Sequence, residues 1–205
     1  MIAVIDYGVG NIFSLYSSFR AIGEGVILTG DKEKIRECDK IVLPGVGAFA
    51  DAKAKLDKNG LSDVIKEEAA TGKNILGICL GMQMMFDKSF EYGAHEGLHM
   101  IPGEVRPIKP IIPQDYKVPH IGWNKLIFPK NKEKNKIFKY INEGDCVYFV
   151  HSYAAFGCEE SLIAYAEYGE DLTAAVNKDN VYATQFHPEK SGNTGLKILK
   201  AFCEL

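Results

Sequence analysis

"LGICLGMQ", Leu76 to Gln83, carries one cysteine at the point where an apolar run (Asn74 to Ile78) gives way to a stretch of helical composition, with Gly77 and Gly81 two residues to either side. A strand that passes directly into a helix is the building unit of a parallel sheet. A cysteine held only for packing would stand inside the run, among Ile75, Leu76 and Ile78. Gly77-Ile78-Cys79-Leu80-Gly81 has instead the form glycine-x-nucleophile-x-glycine, in which glycines permit a sharp strand-to-helix turn that projects the central side chain. At such a corner the helix dipole favours a thiolate, and the N–H of Leu80 is free to stabilise an oxyanion. The alternative is a core cysteine beside two turn glycines.

The same rhythm extends outward from this corner. Short β-branched runs at Ile2 to Asp6, Val26 to Leu28 and Lys40 to Leu43 alternate with helical patterns at Asn11 to Ile22, Phe49 to Lys58 and Leu61 to Thr71. Leu61, Val64 and Ile65 show helical spacing, and Gly72 stands where a helix C-cap belongs. After Gly93 a series of prolines (Pro102, Pro107, Pro110, Pro113, Pro119, Pro129) punctuates short strand-like pieces. Strands resume at Cys146 to Val150, Leu162 to Tyr168, Ala174 to Val176 and Val181 to Gln185, and a last amphipathic helix carries Leu196, Leu199, Phe202 and Cys203. The expected class is α/β: an open, mostly parallel, flavodoxin-like sheet flanked by helices, with an antiparallel elaboration.

Composition narrows the function. At 205 residues and 46% hydrophobic the chain can bury one substantial core. Lys and Arg number 24 against 27 Asp and Glu, so a net charge of −3 offers no basic field for nucleic acid or anionic lipid, and Lys130 to Lys136 (KNKEKNK) reads as a solvated loop. The start, MIAVIDYGVG, has no signal-peptide pattern, and no apolar run approaches the ~20 residues that cross a bilayer, so the expected location is cytoplasmic. Five cysteines with no CxxC spacing argue against both a disulfide framework and a thiolate zinc site.

Two further strand ends complete a chemical constellation. "QFHPEKS", Gln185 to Ser191, follows the last strand and offers His187 with Glu189 two residues on, while Pro188 keeps the segment extended so that both side chains can share one side. A nucleophilic cysteine needs such a base, and the base needs a group to orient it. "LPGVGAF", Leu43 to Phe49, places glycines on either side of Val46, which lets backbone N–H groups turn inward as oxyanion donors.

The trio PGVG (Pro44 to Gly47), GICLGMQ (Gly77 to Gln83) and FHPEKS (Phe186 to Ser191), in this order over almost the whole chain, resembles the class I glutamine amidotransferases with a Cys-His-Glu triad. DYGVGNIFSL (Asp6 to Leu15), PHIGWN (Pro119 to Asn124), YFVHSY (Tyr148 to Tyr153), Val46 within PGVG and Met82 within CLGMQ narrow the resemblance to the glutaminase subunits that serve imidazole glycerol phosphate synthases in histidine biosynthesis. It implies one domain over residues 1–205, with Cys79, His187 and Glu189 as triad and Val46, Gly47 and Leu80 as oxyanion residues, Val46 acting after a peptide flip triggered by the partner. Glutamine would be held by Gln83, Ser152 and Tyr153 together with Gly47, and Glu91 is the candidate for its α-amino group. No cofactor or metal is implied. The implied partner is a (β/α)8-barrel cyclase subunit that receives the ammonia in a heterodimer, with Asn11, Trp123 and Lys190 on the docking face. Trp123 could equally be a partly buried core residue, and Lys190 a solvated charge. Related glutaminases serve other synthases, including amidine-forming enzymes of surface-sugar biosynthesis, and the triad would look alike in both.

Three other motifs compete. "HEGLH", His95 to His99, fits the H-E-x-x-H zinc pattern, but that motif requires a helix, which Gly93 and Gly97 weaken and Pro102-Gly103 end. Gly8 and Gly10 begin like a dinucleotide fingerprint whose third glycine position holds Phe13. A flavodoxin-like sheet could also bind FMN at its strand ends.

Overall fold

The computed structural model describes residues Met1–Leu205. Its first part runs β1 (Ile2–Ile5), α1 (Ile12–Ala21), β2 (Val26–Thr29), α2 (Lys32–Glu37), β3 (Lys40–Leu43), α3 (Phe49–Lys58), α4 (Leu61–Ala70), β4 (Asn74–Ile78) and α5 (Leu80–Met84). Short strands follow: β5 (Lys88–Ser89), β6 (His95–Glu96), β7 (Glu104–Pro107), β8 (His120–Lys125), β9 (Cys146–His151) and β10 (Tyr153–Phe156). The chain closes with β11 (Leu162–Glu167), β12 (Asp171–Lys178), β13 (Val181–Thr184) and α6 (Gly192–Cys203).

Seven strands form the main sheet in the order β11-β12-β13-β4-β3-β1-β2. The run from β13 to β2 is parallel, and β12 and β11 add an antiparallel edge. The chain adds β2 on one side of β1 and β3 on the other, and loops at the carboxyl ends near such a reversal form the usual site of open α/β sheets. Register levels the ends of three neighbours: Leu43 pairs with Gly77, and Thr184 pairs with Ile78. The residues that follow, Pro44, Cys79 and Gln185, therefore meet in space.

Alternation along the strands sorts the core into two layers. Ala3, Ile5, Ile41, Leu43 and Ile75 pack under α3 and α4 with Phe49, Leu56, Leu61 and Ile65. Ile2, Val4, Val42, Leu76 and Ile78 face the other way, toward Leu15 and Phe19 of α1 and Ile198, Leu199 and Phe202 of α6. No helix of the structure is long and apolar enough to cross a membrane.

The elaboration departs from the sequence reading in its attachment. Only β11 and β12 extend the main sheet; β10, β7, β5 and β6 form a separate mixed sheet, and β8 with β9 forms a two-stranded antiparallel ribbon. The expected strand at Cys146 to Val150 thus belongs to the ribbon. The HEGLH segment is not helical: His95 and Glu96 lie in β6, and His99 has φ of 56° and contacts Asp87 and Glu96. The two histidines do not share a helix face, which removes the basis of the zinc reading. Helix α2 was not expected. It has six residues, buries only Ile35, and starts at Asp31, whose carboxylate accepts from the N–H groups of Glu33 and Lys34.

Candidate active site

Cys79 sits between β4 and α5 with φ 54° and ψ −111°, a conformation that costs a non-glycine residue ~1–3 kcal/mol. Its neighbours hold it there. The Cys79 N–H donates to the Thr184 carbonyl at 2.7 Å, and its own carbonyl accepts from the Gln83 N–H at 3.1 Å. The strain lies on the cysteine itself, whereas the sequence reading placed the turn's freedom in the flanking glycines. Those glycines serve close approach: a Cβ on Gly81 would fall 2.0 Å from the Leu43 carbonyl oxygen, and one on Gly77 would fall 2.7 Å from Met85 Sδ. Gly45 meets the same constraint from the other side, its Cβ position lying 2.7 Å from the Gly81 nitrogen. The PGVG loop and the cysteine corner are locked together, backbone against backbone.

His187 follows β13 and is held from both ends of its peptide. Its N–H donates to the Tyr148 carbonyl at 2.9 Å, and its carbonyl accepts from Ser191 Oγ at 2.6 Å. Ser191 Oγ in turn accepts from the Tyr148 N–H at 3.0 Å, which ties the segment to β9. His187 Nδ1 is 2.8 Å from Glu189 Oε1, and both side chains are almost wholly shielded from solvent. The other carboxylate oxygen, Oε2, is buried with no hydrogen-bond partner, so His187 is the one group to which the Glu189 carboxylate is bonded. Burial alone would lower the pKa of His187; hydrogen bonding to Cys79 and Glu189, with their charges, outweighs it and raises the value to about 9.

A cavity of about 400 Å³ opens over these groups. Cys79 and His187 lie in its wall with Val46, Gly47 and Leu80. Gln83, Glu91, Ser152, Tyr153 and Lys190 also line it. Glu189 stands behind His187 rather than in the cavity wall. Gly47 has φ of 94° and Val46 is 40% exposed, so the tip of the PGVG loop reaches solvent. Glu91 turns its Oε2 to the N–H of Phe49 at 2.5 Å, at the start of α3, the position where a carboxylate is favoured.

Two of the expected docking residues, Trp123 and Lys190, meet on the ring of Tyr148. Trp123 is 58% exposed, with its ring edge-on to Tyr148 at 6.1 Å, and Lys190 Nζ lies 5.9 Å from the centre of the same Tyr148 ring. Phe13 and Ile121 are exposed beside these segments, and Asn11 is the half-exposed N-cap of α1. The core alternative for Trp123 does not hold.

Sequence reading missed a buried histidine pair, one member of which, His151, lines the cavity. His120 and His151 are cross-strand partners in the β8–β9 ribbon, with His120 Nδ1 3.1 Å from His151 Nε2. His151 Nδ1 is 2.9 Å from the Tyr153 carbonyl, which can only accept, so Nδ1 carries the proton and Nε2 accepts from His120. Burial keeps both rings neutral, lowering His120 to about 4 and His151 to about 3, where His120 adds to the effect. The two residues are 31 positions apart, and only the ribbon register joins them. Gln185, fully buried beside Cys79, was missed as well.

A thiol at a strained corner, a glycine loop locked against that corner and an imidazole backed by a carboxylate define a cysteine hydrolase of the amidotransferase kind. The family model described as "Glutamine amidotransferase class-I" matches residues 3–204, and the chain belongs to that family. Two curated relatives carry the narrower name "Imidazole glycerol phosphate synthase subunit HisH". The protein of Lactococcus lactis subsp. lactis (strain IL1403) is 47% identical over 204 residues, covering 99% of this chain and 98% of its own. That of Caldanaerobacter subterraneus subsp. tengcongensis is 47% identical over 206 residues, covering 100% and 98%. Among solved structures, a glutamine amidotransferase superposes with a TM-score of 0.76 at 15% identity, covering 100% of this chain and 98% of that one. PurLQS from Thermotoga maritima gives 0.73 at 18%, covering 99% and 97%. At these identities the likeness is one of fold.

Proposed function

We propose that this chain is the glutaminase subunit of an imidazole glycerol phosphate synthase, which hydrolyses glutamine to glutamate and passes the ammonia to a (β/α)8-barrel cyclase subunit. The observation that carries the reading is the meeting of Cys79, His187 and the PGVG loop around one cavity, in a chain that is 47% identical over nearly its full length to relatives of that name.

In this reading the Cys79 thiolate attacks the side-chain carboxamide carbon of glutamine. The carbonyl oxygen takes up the negative charge and is met by the N–H of Leu80, which as the first residue of α5 has no intrahelical partner, and by the amides of Val46 and Gly47. His187, protonated and oriented by Glu189, gives its proton to the departing nitrogen, so the C–N bond breaks to leave ammonia and a γ-glutamyl thioester. His187 then takes a proton from water. The resulting hydroxide breaks the thioester, and glutamate leaves with the thiolate restored. Ser152, Tyr153 and Gln83 border the space for the substrate, and Glu91 supplies the negative charge for its α-ammonium group. Asn11, Trp123 and Lys190 form the face that meets the cyclase.

Glutamate release from glutamine by the purified chain, with and without a barrel cyclase and its phosphoribosyl ligand, tests the reading. Release that is absent or slow alone and at least ~10-fold faster with both supports it, since an idle subunit completes its site only in the complex. Release that ignores the cyclase overturns the acceptor and points to an amidine-forming synthase. No release under any condition, or release that survives Cys79→Ala, overturns the chemistry.

A further inference from the structure

Gln185 is fully buried at the end of β13 and stays out of the cavity wall, yet its side chain touches the reacting sulfur. Chemistry fixes which way its amide points. The Tyr153 carbonyl can only accept, so the Gln83 atom 3.1 Å away is the donor Nε2. The Gln185 atom 2.9 Å from that Nε2 must then accept and is Oε1. What remains, 3.7 Å from Cys79 Sγ, is the N–H donor Nε2. A second buried group secures the starting point, since His151 Nδ1 donates to the same Tyr153 carbonyl at 2.9 Å.

We propose that Gln185 is a thiolate-stabilising residue: its Nε2–H, aimed by Gln83 and the Tyr153 carbonyl, donates to Cys79 Sγ and favours the anionic sulfur over the thiol. A hydrogen bond to an ionised acceptor is about twice as strong as one to a neutral group, so the bond is worth more to the thiolate at two moments. One is the resting state that attacks the carboxamide. The other is the breakdown of the thioester, when sulfur leaves with the electron pair. The donor sits beneath the sulfur in a dry environment and needs no motion to act.

The inference rests on Cys79 as the nucleophile of the proposed reaction, and its test reads the sulfur directly, without glutamine. The full chain and its Gln185→Met and Gln185→Glu variants are alkylated with iodoacetamide across a range of pH. The rate is followed by mass spectrometry on the peptide that contains Cys79, because Cys146 is exposed and is alkylated as well. Loss of the donor moves the pH of half-maximal alkylation up by about one unit in Gln185→Met. Gln185→Glu moves it further, because a carboxylate oxygen then faces the sulfur. The rival role, an anchor for Gln83, predicts the reverse order: Glu keeps the acceptor that Gln83 needs and behaves as wild type, while Met does not. That order, or no shift in either variant, overturns the proposal. Should neither variant fold, the wild-type chain labelled with 15N-glutamine decides. A Gln185 side-chain amide proton that moves with pH at the alkylation midpoint supports the bond, and one that is blind to it refutes it. Glutaminase activity that survives Cys79→Ala is a separate result, which removes the reaction and not the hydrogen bond.

Discussion

Gly81 and Leu43 come so close that any side chain on the glycine would collide with the Leu43 carbonyl oxygen, the Cβ position lying 2.0 Å from it. Gly81→Ala should therefore cost about 3 kcal/mol of unfolding free energy, or prevent folding, because the obstacle is backbone that cannot move aside. Gly144, with φ of 89° and nothing within 4 Å of a Cβ, is the control, and Gly144→Ala should cost about 1–2 kcal/mol from backbone strain alone. Urea unfolding measures both, and equal costs would refute the close-approach account.

The titration of His187 should be visible in stability. Its folded value of about 9 lies above the ordinary 6.5, so its contribution is complete below pH 6.5 and is lost as pH rises through 9. His120 and His151 act in the opposite sense: with values lowered to about 4 and about 3, their contribution is complete above pH 6.5 and is lost as pH falls through those values. Thermal melts should thus show a maximum near neutrality. Cys79→Ala should flatten the alkaline arm, since Cys79 supplies part of the upward push on His187.

Glu189→Gln removes the charge behind His187 while keeping its size. Glutamine hydrolysis in the complex should fall by ~10²–10⁴-fold, and the His187 ring should titrate lower by NMR. A variant that loses activity with an unchanged His187 titration would refute the charge argument.

How far the site could be read in advance follows from how local each signal is. The β4–Cys79–α5 corner and the β13–His187 segment announce themselves because an apolar run, a turn and the chemical group lie within ten residues of one another. The histidine pair and Gln185 gave no such signal. His120 acquires meaning only through the register that sets it opposite His151, and Gln185 only through Gln83, which comes from helix α5. Helix α2 escaped because its stability comes from one buried side chain, Ile35, and one cap, Asp31, rather than from a repeating apolar face. The separate small sheets were hidden for a related reason, since pairing partners among proline-punctuated strands of two to six residues are chosen by tertiary packing.

Glu91→Gln should separate binding from folding. The amide oxygen can still accept from the Phe49 N–H, so stability should change by less than about 1 kcal/mol, whereas loss of the charge should raise the KM for glutamine by ~10-fold with little effect on kcat. An unchanged KM would remove Glu91 from the substrate site.

Trp123→Ala should leave the melting temperature of the isolated chain almost unchanged, because the ring is 58% exposed. Affinity for the cyclase should fall by ~30-fold if the ring anchors the interface, as titration calorimetry would show. Equal affinity would move the docking face elsewhere.

The corner at Cys79 has a consequence for where the molecule can yield. The cysteine's N–H and C=O are both tied to neighbouring elements, while Val46, across the cavity, reaches solvent and a Cβ on Gly47 would meet nothing within 4 Å. Deuterium should enter the Cys79 amide only when the whole sheet opens, and the Val46 and Gly47 amides through local fluctuation alone. The reacting atom is stationed on backbone tied at both ends, and adaptation to substrate and partner is left to the opposite lip.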